Sequence, residues 1–302
     1  MHAASKRGVR NPLQRFFACC AAAWLSAAAA AQPVEVTDDR GKSTKLANPA
    51  RRIVSIAPHV TELLFDAGAG AHVIAADSAS DYPPAAERLP RVGSSAGIDL
   101  ERVVALQPDL VVGWWSGNKA SDIARIERFG IPLFLSEPRR LSDIPRTLRA
   151  FGQLLGTGEA AEQQAIAFEQ QLAALDKPAA AARAVSVFFE VWQQPLMTIN
   201  GAHLVSDILS ACGGRNVFAS LSPLAGPVSV ESVLAADPEV IIAAGVPQDA
   251  LASWSRTPSL RAVRSRQIYR IDSDLITRPT PRILEGMRQV CDWLEAARRR
   301  RN

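Results

Sequence analysis

Short apolar runs alternate with amphipathic stretches along the chain, and the longest amphipathic stretch lies near its middle. From Glu159 to Asp176 the sequence reads EAAEQQAIAFEQQLAALD. Ala161, Ala165, Phe168, Leu172 and Leu175 recur at spacings of four and three, so they share one stripe of a helix, and Glu and Gln cover the remainder. No Gly or Pro interrupts the run and strong helix formers dominate, so the pattern predicts a long, stiff helix. A second pattern repeats on either side of it. Residues 101–113, ERVVALQPDLVVG, and residues 231–243, ESVLAADPEVIIA, keep Glu, Val, Ala and Pro in register. Two halves with a common plan, joined by a rod, are the expected architecture.

The first half opens with Val34 to Ala47, which alternates around Asp39-Arg40-Gly41, a hairpin signature. Arg52 to Ala57 reads as a buried strand, Pro58-His59 as a turn, and Val60 to Ala67 as a helix closed by Gly68 and Gly70. Val73 to Ala76 is a second strand running into a polar loop, Asp77 to Pro84. Asp99 takes an N-cap position before a short helix, Pro108 makes a turn, and a strand over 110–112 carries Trp114 to Asn118 at its carboxyl end. Helix over 121–129, strand over 131–135 and helix over 141–155 follow, and Lys177-Pro178 ends the rod. The second half reads as a strand over 184–191, a loop from Trp192 to Pro195, and a helix over 204–212. A loop over 221–227 precedes the repeat, which Ser229 caps. A strand over 268–271 leads through a loop to the terminal helix over 283–297. This alternation implies parallel sheets covered on both faces. The fold class is α/β, with two parallel-sheet lobes over 32–156 and 178–302 and a hinge helix over 157–177.

Composition changes the reading of the N-terminus. Residues 1–15 hold Lys6, Arg7, Arg10 and Arg15 and no acid, and an Ala-rich apolar run from Phe16 to Ala31 follows. A basic segment, an apolar segment and a small-residue end make an export signal over residues 1–31, cleaved near Ala31. The run is shorter than the roughly 20 residues of a membrane span. Removing it takes four positive charges from a formal net charge of +4, so the mature chain is close to neutral. The high sequence pI is then no sign of nucleic-acid binding. Arg298 to Arg301 form a basic, solvated tail. Cys19 and Cys20 leave with the signal. Cys212 and Cys291 remain, and in an oxidising compartment they suggest one disulfide, the alternative being two buried free thiols.

The motifs that would carry catalysis or hold a metal ion are incomplete. Gly93-Ser94-Ser95-Ala96-Gly97 fits the G-x-S-x-G pattern, yet no strand leads straight into Ser95 and no helix follows at once, as a nucleophile would need. His59 and His203 could face a cleft and His72 reads as structural, but no His or Cys cluster has the spacing of a metal site. No phosphate-binding glycine motif is present. Trp114, Trp115 and Trp192, with Tyr82, fall at strand ends, where α/β sheets carry their ligands. Several aromatics there suit a flat, largely apolar ligand held by stacking. Glu101 and Glu231 open the two repeats. Each favours a helix dipole, and the pair also offers one negative knob per lobe to the arginines of a two-fold partner.

The residues RIVSIAPHVTELLFDAGAG, SDYPP, GIDLERVVALQPDLVVGWWSGN, CGGRNVF and RPTPRI resemble periplasmic substrate-binding proteins of the cobalamin ABC importer. The resemblance runs in order from about Val34 to Ala297. The wider class, in which one long helix joins two lobes, also serves haem and ferric-siderophore importers. It implies a ligand held between the lobes, lined by Pro58, His59, Tyr82, Ser95, Ala96, Gly97 and Trp114 from the first. Trp192, the loop around Ala225, Asp274 and Arg278 would line it from the second. Glu101 and Glu231 match the glutamates that dock onto permease arginines, and Cys212 and Cys291 match a disulfide. Ala79, Ser95 and Ala225 depart from the pattern, since aromatics stand there in the family.

The expectation is therefore a periplasmic, monomeric protein that carries a corrinoid to an inner-membrane ABC permease dimer. It would bind no nucleic acid, hold no cofactor of its own and catalyse nothing. Haem or a ferric siderophore is the alternative cargo, with His59 as an axial ligand to haem iron. A secreted hydrolase using Ser95 is the alternative from a different class.

Overall fold

The pattern of burial explains the order of elements. The protein is represented by a computed structural model that describes residues 1–2, 33–175 and 184–300. The export signal beyond His2, with Cys19 and Cys20, the end of the rod at Asp176 to Pro178, and Arg301 lie outside the described residues. Strands β1 (Val34–Thr37) and β2 (Ser43–Leu46) form the expected antiparallel hairpin. Strand β3 (Ile53–Ser55) leads into helix α1 (Pro58–Asp66), and β4 (Val73–Ala76) comes next. A small hairpin, β5 (Gly93–Ser94) and β6 (Gly97–Ile98), precedes α2 (Leu100–Ala105) and β7 (Leu110–Trp114). Then come α3 (Ala120–Arg128), β8 (Leu133–Ser136), α4 (Asp143–Leu155) and the rod, α5 (Gly158–Leu175).

The second half has β9 (Val185–Glu190), β10 (Trp192–Gln193), β11 (Leu196–Ile199), α6 (Leu204–Ala211), β12 (Gly214–Asn216) and β13 (Ala225–Pro227). It continues through α7 (Val230–Ala236), β14 (Val240–Ala244), α8 (Gln248–Trp254), α9 (Arg261–Arg264), β15 (Ile268–Ile271) and α10 (Ile283–Arg299).

Each half builds one four-stranded parallel sheet. The orders are β4-β3-β7-β8 and β12-β9-β14-β15, so both sheets place their first strand second and their third beside it. The repeat read in the sequence is thus a repeat of topology. Helices α2 and α7 open its two copies in the same way: Asp99 accepts a hydrogen bond from the Arg102 amide at 3.0 Å, and Ser229 accepts one from the Ser232 amide at 3.1 Å. Such caps satisfy amides that a helix start leaves unpaired.

Alternation along the strands divides the core. Ile53, Leu110, Val112 and Phe134 face one side of the first sheet, and Val54, Val111, Leu133 and Leu135 face the other, as the period of two requires. The first of these faces belongs to one apolar cluster that continues through α5 into the second sheet. Ala161, Ala165 and Phe168 are buried, with Leu172 and Leu175 partly so. The five are the stripe read from the sequence. Helix α5 packs chiefly on α4 and also touches α1 and α10. On its outer side Arg149 of α4 bridges Glu162 at 2.8 Å and Glu169 at 2.6 Å. From Pro33 onward the chain is one compact unit. Cys212, at the end of α6, is bonded to Cys291 of α10, so the free-thiol alternative is excluded. No described helix is long and apolar enough to cross a membrane.

Candidate ligand-binding site

The carboxyl ends of the two parallel sheets carry nearly all the residues singled out in the sequence. Pro58 is not in a turn, as expected, but is the first residue of α1. A helix start has no use for the amide that proline lacks, and its fixed φ suits the position. His59 is therefore a helical residue and almost wholly buried, at 2 % exposed. Its ring meets that of Trp114 edge-on, with centroids 5.3 Å apart. Nε2 has no hydrogen-bond partner. Burial, aided by the charge of Arg278, lowers the imidazole pKa to about 3, so the ring is neutral at physiological pH.

Trp114 ends β7 and lies against Gly117, where even a β-carbon would overlap the indole. Buried Asn118 fixes the turn. Its Oδ1 accepts from the Trp114 amide at 2.6 Å and its Nδ2 donates to the Ile56 carbonyl at 2.8 Å. One amide side chain thus joins the loops after β3 and β7. Trp114 remains 37 % exposed and Trp115 43 %. Ser95 and Ala96 form the exposed turn of the β5–β6 hairpin, and Gly97 begins β6. Lys119 donates to the Ala96 carbonyl. Ser95 is in a hairpin turn rather than between a strand and a helix, so the geometry of a nucleophile elbow is missing.

In the second lobe two expected loops are strands. Trp192 lies in β10, which pairs with β11, and Ala225 lies in β13, which pairs with β11 from the other side. Trp192 is 56 % exposed and donates from Nε1 to the Gln194 carbonyl at 2.9 Å. Ala225 is exposed opposite Ile199. The hydrogen bonds of both stay within their lobe. His203 is not ligand-facing but structural. Its Nδ1 caps α6 by accepting from the Val205 amide at 3.1 Å, and burial lowers its pKa to about 4.

On the Tyr82 side the lobes are joined by an ionic cluster that sequence reading only half found. Arg278 donates to Glu62 at 2.9 Å and to Asp81 at 2.6 Å, and pairs with Asp274 at 3.0 Å. Arg282 makes a two-point contact with Glu62, at 2.7 and 3.0 Å. Its guanidinium also lies 3.8 Å above the centre of the Tyr82 ring, a cation–π arrangement. Glu62 and Asp81 belong to the first lobe, and both arginines to the segment after β15. Arg278 was expected to face a ligand, yet its donors are occupied by three carboxylates. Ala79, where the family pattern has an aromatic, offers only its backbone carbonyl to Arg278, at 3.5 Å. Glu62, Arg282 and Asp81 were missed. The available signals were an acid inside the apolar face of α1 and two arginines four apart in RPTPR.

Beyond the Glu62 pair, Asp66 is raised to about 6 by burial and by repulsion from Glu62. Among the described residues no group of three His, Cys, Asp or Glu side chains is placed to hold a metal ion. Glu101 and Glu231 are both exposed, each in the first turn of its helix. Hydrogen bonds from its own amide and from Ser229 hold the Glu231 carboxyl below the usual range.

Comparison with known proteins agrees with this arrangement. Residues 53–275 match the family model described as periplasmic binding protein. A vitamin B12-binding protein of Vibrio parahaemolyticus is 34% identical over 261 residues, which cover 86% of this chain and 95% of that protein. The crystal structure of the periplasmic vitamin B12 binding protein BtuF of Vibrio cholerae matches with a TM-score of 0.77 at 33% identity. It covers 82% of this chain and 98% of that one. The apo form of the periplasmic heme-binding protein RhuT from Roseiflexus sp. RS-1 matches with a TM-score of 0.73 at 25% identity, over 82% of this chain and 99% of that one.

Proposed function

The chain belongs to the periplasmic binding protein family, and on that premise we propose that it captures a corrinoid, cobalamin, between its lobes for delivery to an inner-membrane ABC permease. The observation that carries the cargo is similarity at a third identity, over nearly the whole length, to two proteins named for vitamin B12. Stacking surface supports it: Trp114, Trp115, Trp192 and Tyr82 are exposed at the carboxyl ends of the sheets, where flat apolar ligands find both area and geometry. Pro58, His59 and the Ser95–Gly97 turn would complete the first wall, with Ala225, Asp274 and Arg278 in the second. Nothing is done to the cargo. The two lobes close modestly about the continuous helix α5, since a packed helix resists bending more than loops do. Glu101 and Glu231 then dock onto the permease. The protein acts as a monomer in the periplasm after its leader is removed.

Tryptophan fluorescence of residues 32–302 tests the cargo. Cyanocobalamin should quench it saturably, and an unaltered spectrum would contradict the proposal. Haem is the second reading, favoured by the unpartnered Nε2 of His59 and by the structural likeness to a haem-binding protein. It predicts a Soret shift on adding haemin that is lost in His59→Ala.

A further inference from the structure

The charge on the Tyr82 side of the cleft has a direction. Three carboxylates, Glu62, Asp81 and Asp274, surround two guanidiniums, Arg278 and Arg282, which leaves one net negative charge. Burial orders the charges by depth. The Glu62 side chain is 1% exposed and that of Arg278 is 12%, whereas Asp274 keeps 35% and Asp81 57%. A carboxylate is therefore deepest, the two guanidiniums lie above it, and carboxylate oxygen is again outermost, at the rim. The cations are also spent. Arg278 serves all three acids, and Arg282 is divided between Glu62 and the face of Tyr82. The neighbouring Asp66 and Asp272 bring no cation, and buried His59 has none to give. Arg91, behind the same loop, spends its guanidinium on the Asp77, Ser80 and Glu87 carbonyls, and Lys119 lies elsewhere, beside the Ser95–Gly97 turn, so the effect is local to the Tyr82 side.

From this juxtaposition we propose that Asp81, with Asp274 and Glu62 behind it, makes this side of the cleft reject macrocycles with peripheral carboxylates and admit those whose periphery is amidated. The inference rests on the reading of these residues as cleft walls, and it names the substrate class more narrowly than that reading does. A carboxylate arriving at the rim meets like charge and finds no guanidinium free to pair with it, a penalty of the kind that sets specificity. A primary amide instead donates its N–H groups to the Asp81 and Asp274 oxygens, since an ionised carboxylate accepts hydrogen bonds and donates none. Selectivity is then built by repulsion as well as by stacking, and porphyrins bearing propionates fall on the rejected side.

Dicyanocobinamide, whose side chains are amides, and dicyanocobyrinic acid, whose side chains are carboxylates, form the test pair. The wild-type protein should bind the amide form about 100-fold more tightly, with the gap widening at low salt. Asp81→Asn frees a guanidinium donor and removes one rim charge, and should narrow that ratio roughly tenfold. Adding Asp274→Asn should narrow it again. Asp81 is exposed, so the variant is expected to fold as the wild type does. Equal binding of the two forms by the wild type, or a ratio unmoved by Asp81→Asn, would overturn the inference while leaving corrinoid capture intact. Silence toward both corrinoids would refute corrinoid capture instead. Haemin against its dimethyl ester then decides the inference, preference for the ester supporting it and preference for the free acid overturning it.

Discussion

At the scale of single residues, the proposed site depends on side chains held from behind. Trp114 presents its indole because Gly117 leaves room for it and Asn118 fixes its backbone. An aromatic contact is worth roughly 0.5–1.5 kcal/mol beyond the area it buries. Trp114→Ala together with Trp192→Ala should therefore weaken corrinoid binding about tenfold or more, a factor equal to about 1.4 kcal/mol. Calorimetric titration measures it, and unchanged affinity would remove both indoles from the site. His59 gives a second prediction. Its folded pKa, about 3, lies below the ordinary 6.5, so the unfolded chain binds the extra proton between those values. The stability it contributes is fully present above about pH 6.5 and is lost as pH falls toward 3. His203, held at about 4, acts in the same direction. Urea unfolding at pH 7, 5.5 and 4.5 should show this decline, and His59→Phe should flatten it. A slope as steep in the variant would assign the decline to other groups. The tryptophans and Tyr82 could be singled out because loops at strand ends are where α/β sheets carry ligands, whereas Arg278 came only with the family resemblance. Glu62 and Arg282 could not, because their meaning lies in a contact between segments 220 residues apart, and no local pattern reports a partner that distant.

At the scale of elements, α5 is the part whose form and place could both be read early, since its stripe needs only the helical period. It is secured by Phe168 inside and by Arg149 outside. Phe168→Ala should cost roughly 3–5 kcal/mol, measured by denaturant unfolding. A loss under about 1 kcal/mol, far below that range, would mean that the helix is not the shared spine of both lobes. The bond between Cys212 and Cys291 closes a separation of 79 residues. Replacing both cysteines by Ala should cost about 2–5 kcal/mol, and the wild type under reducing conditions should show the same loss. Helix α10 shows how an element positions residues of the proposed site. Gly286 faces the Leu275 carbonyl so closely that a β-carbon would collide with it. The helix accepts an interior glycine so that the segment bearing Asp274 and Arg278 can pack upon it. The short strands β10 and β13 escaped sequence reading, because runs of two or three residues show no alternation. They exist through pairing with β11, which is a tertiary fact. The turn expected at Pro58 failed for a related reason. Proline marks both turns and first helical positions, and its own identity does not tell the two apart.

At the scale of the whole molecule, the repeat of topology places Glu101 and Glu231 at equivalent positions on the two lobes, each exposed at a helix start. If they are the docking knobs, Glu101→Ala with Glu231→Ala should abolish cobalamin uptake by cells while cobalamin affinity stays within about threefold of wild type, under about 1 kcal/mol. Loss of affinity would make them part of the ligand site or its support. The central claim concerns what the lobes hold. Calorimetric titration of residues 32–302 with cyanocobalamin, and in parallel with haemin, tests it most directly. The account predicts saturable one-to-one binding of cyanocobalamin and no comparable binding of haemin. Haemin binding tightly while cyanocobalamin gives no heat would contradict it.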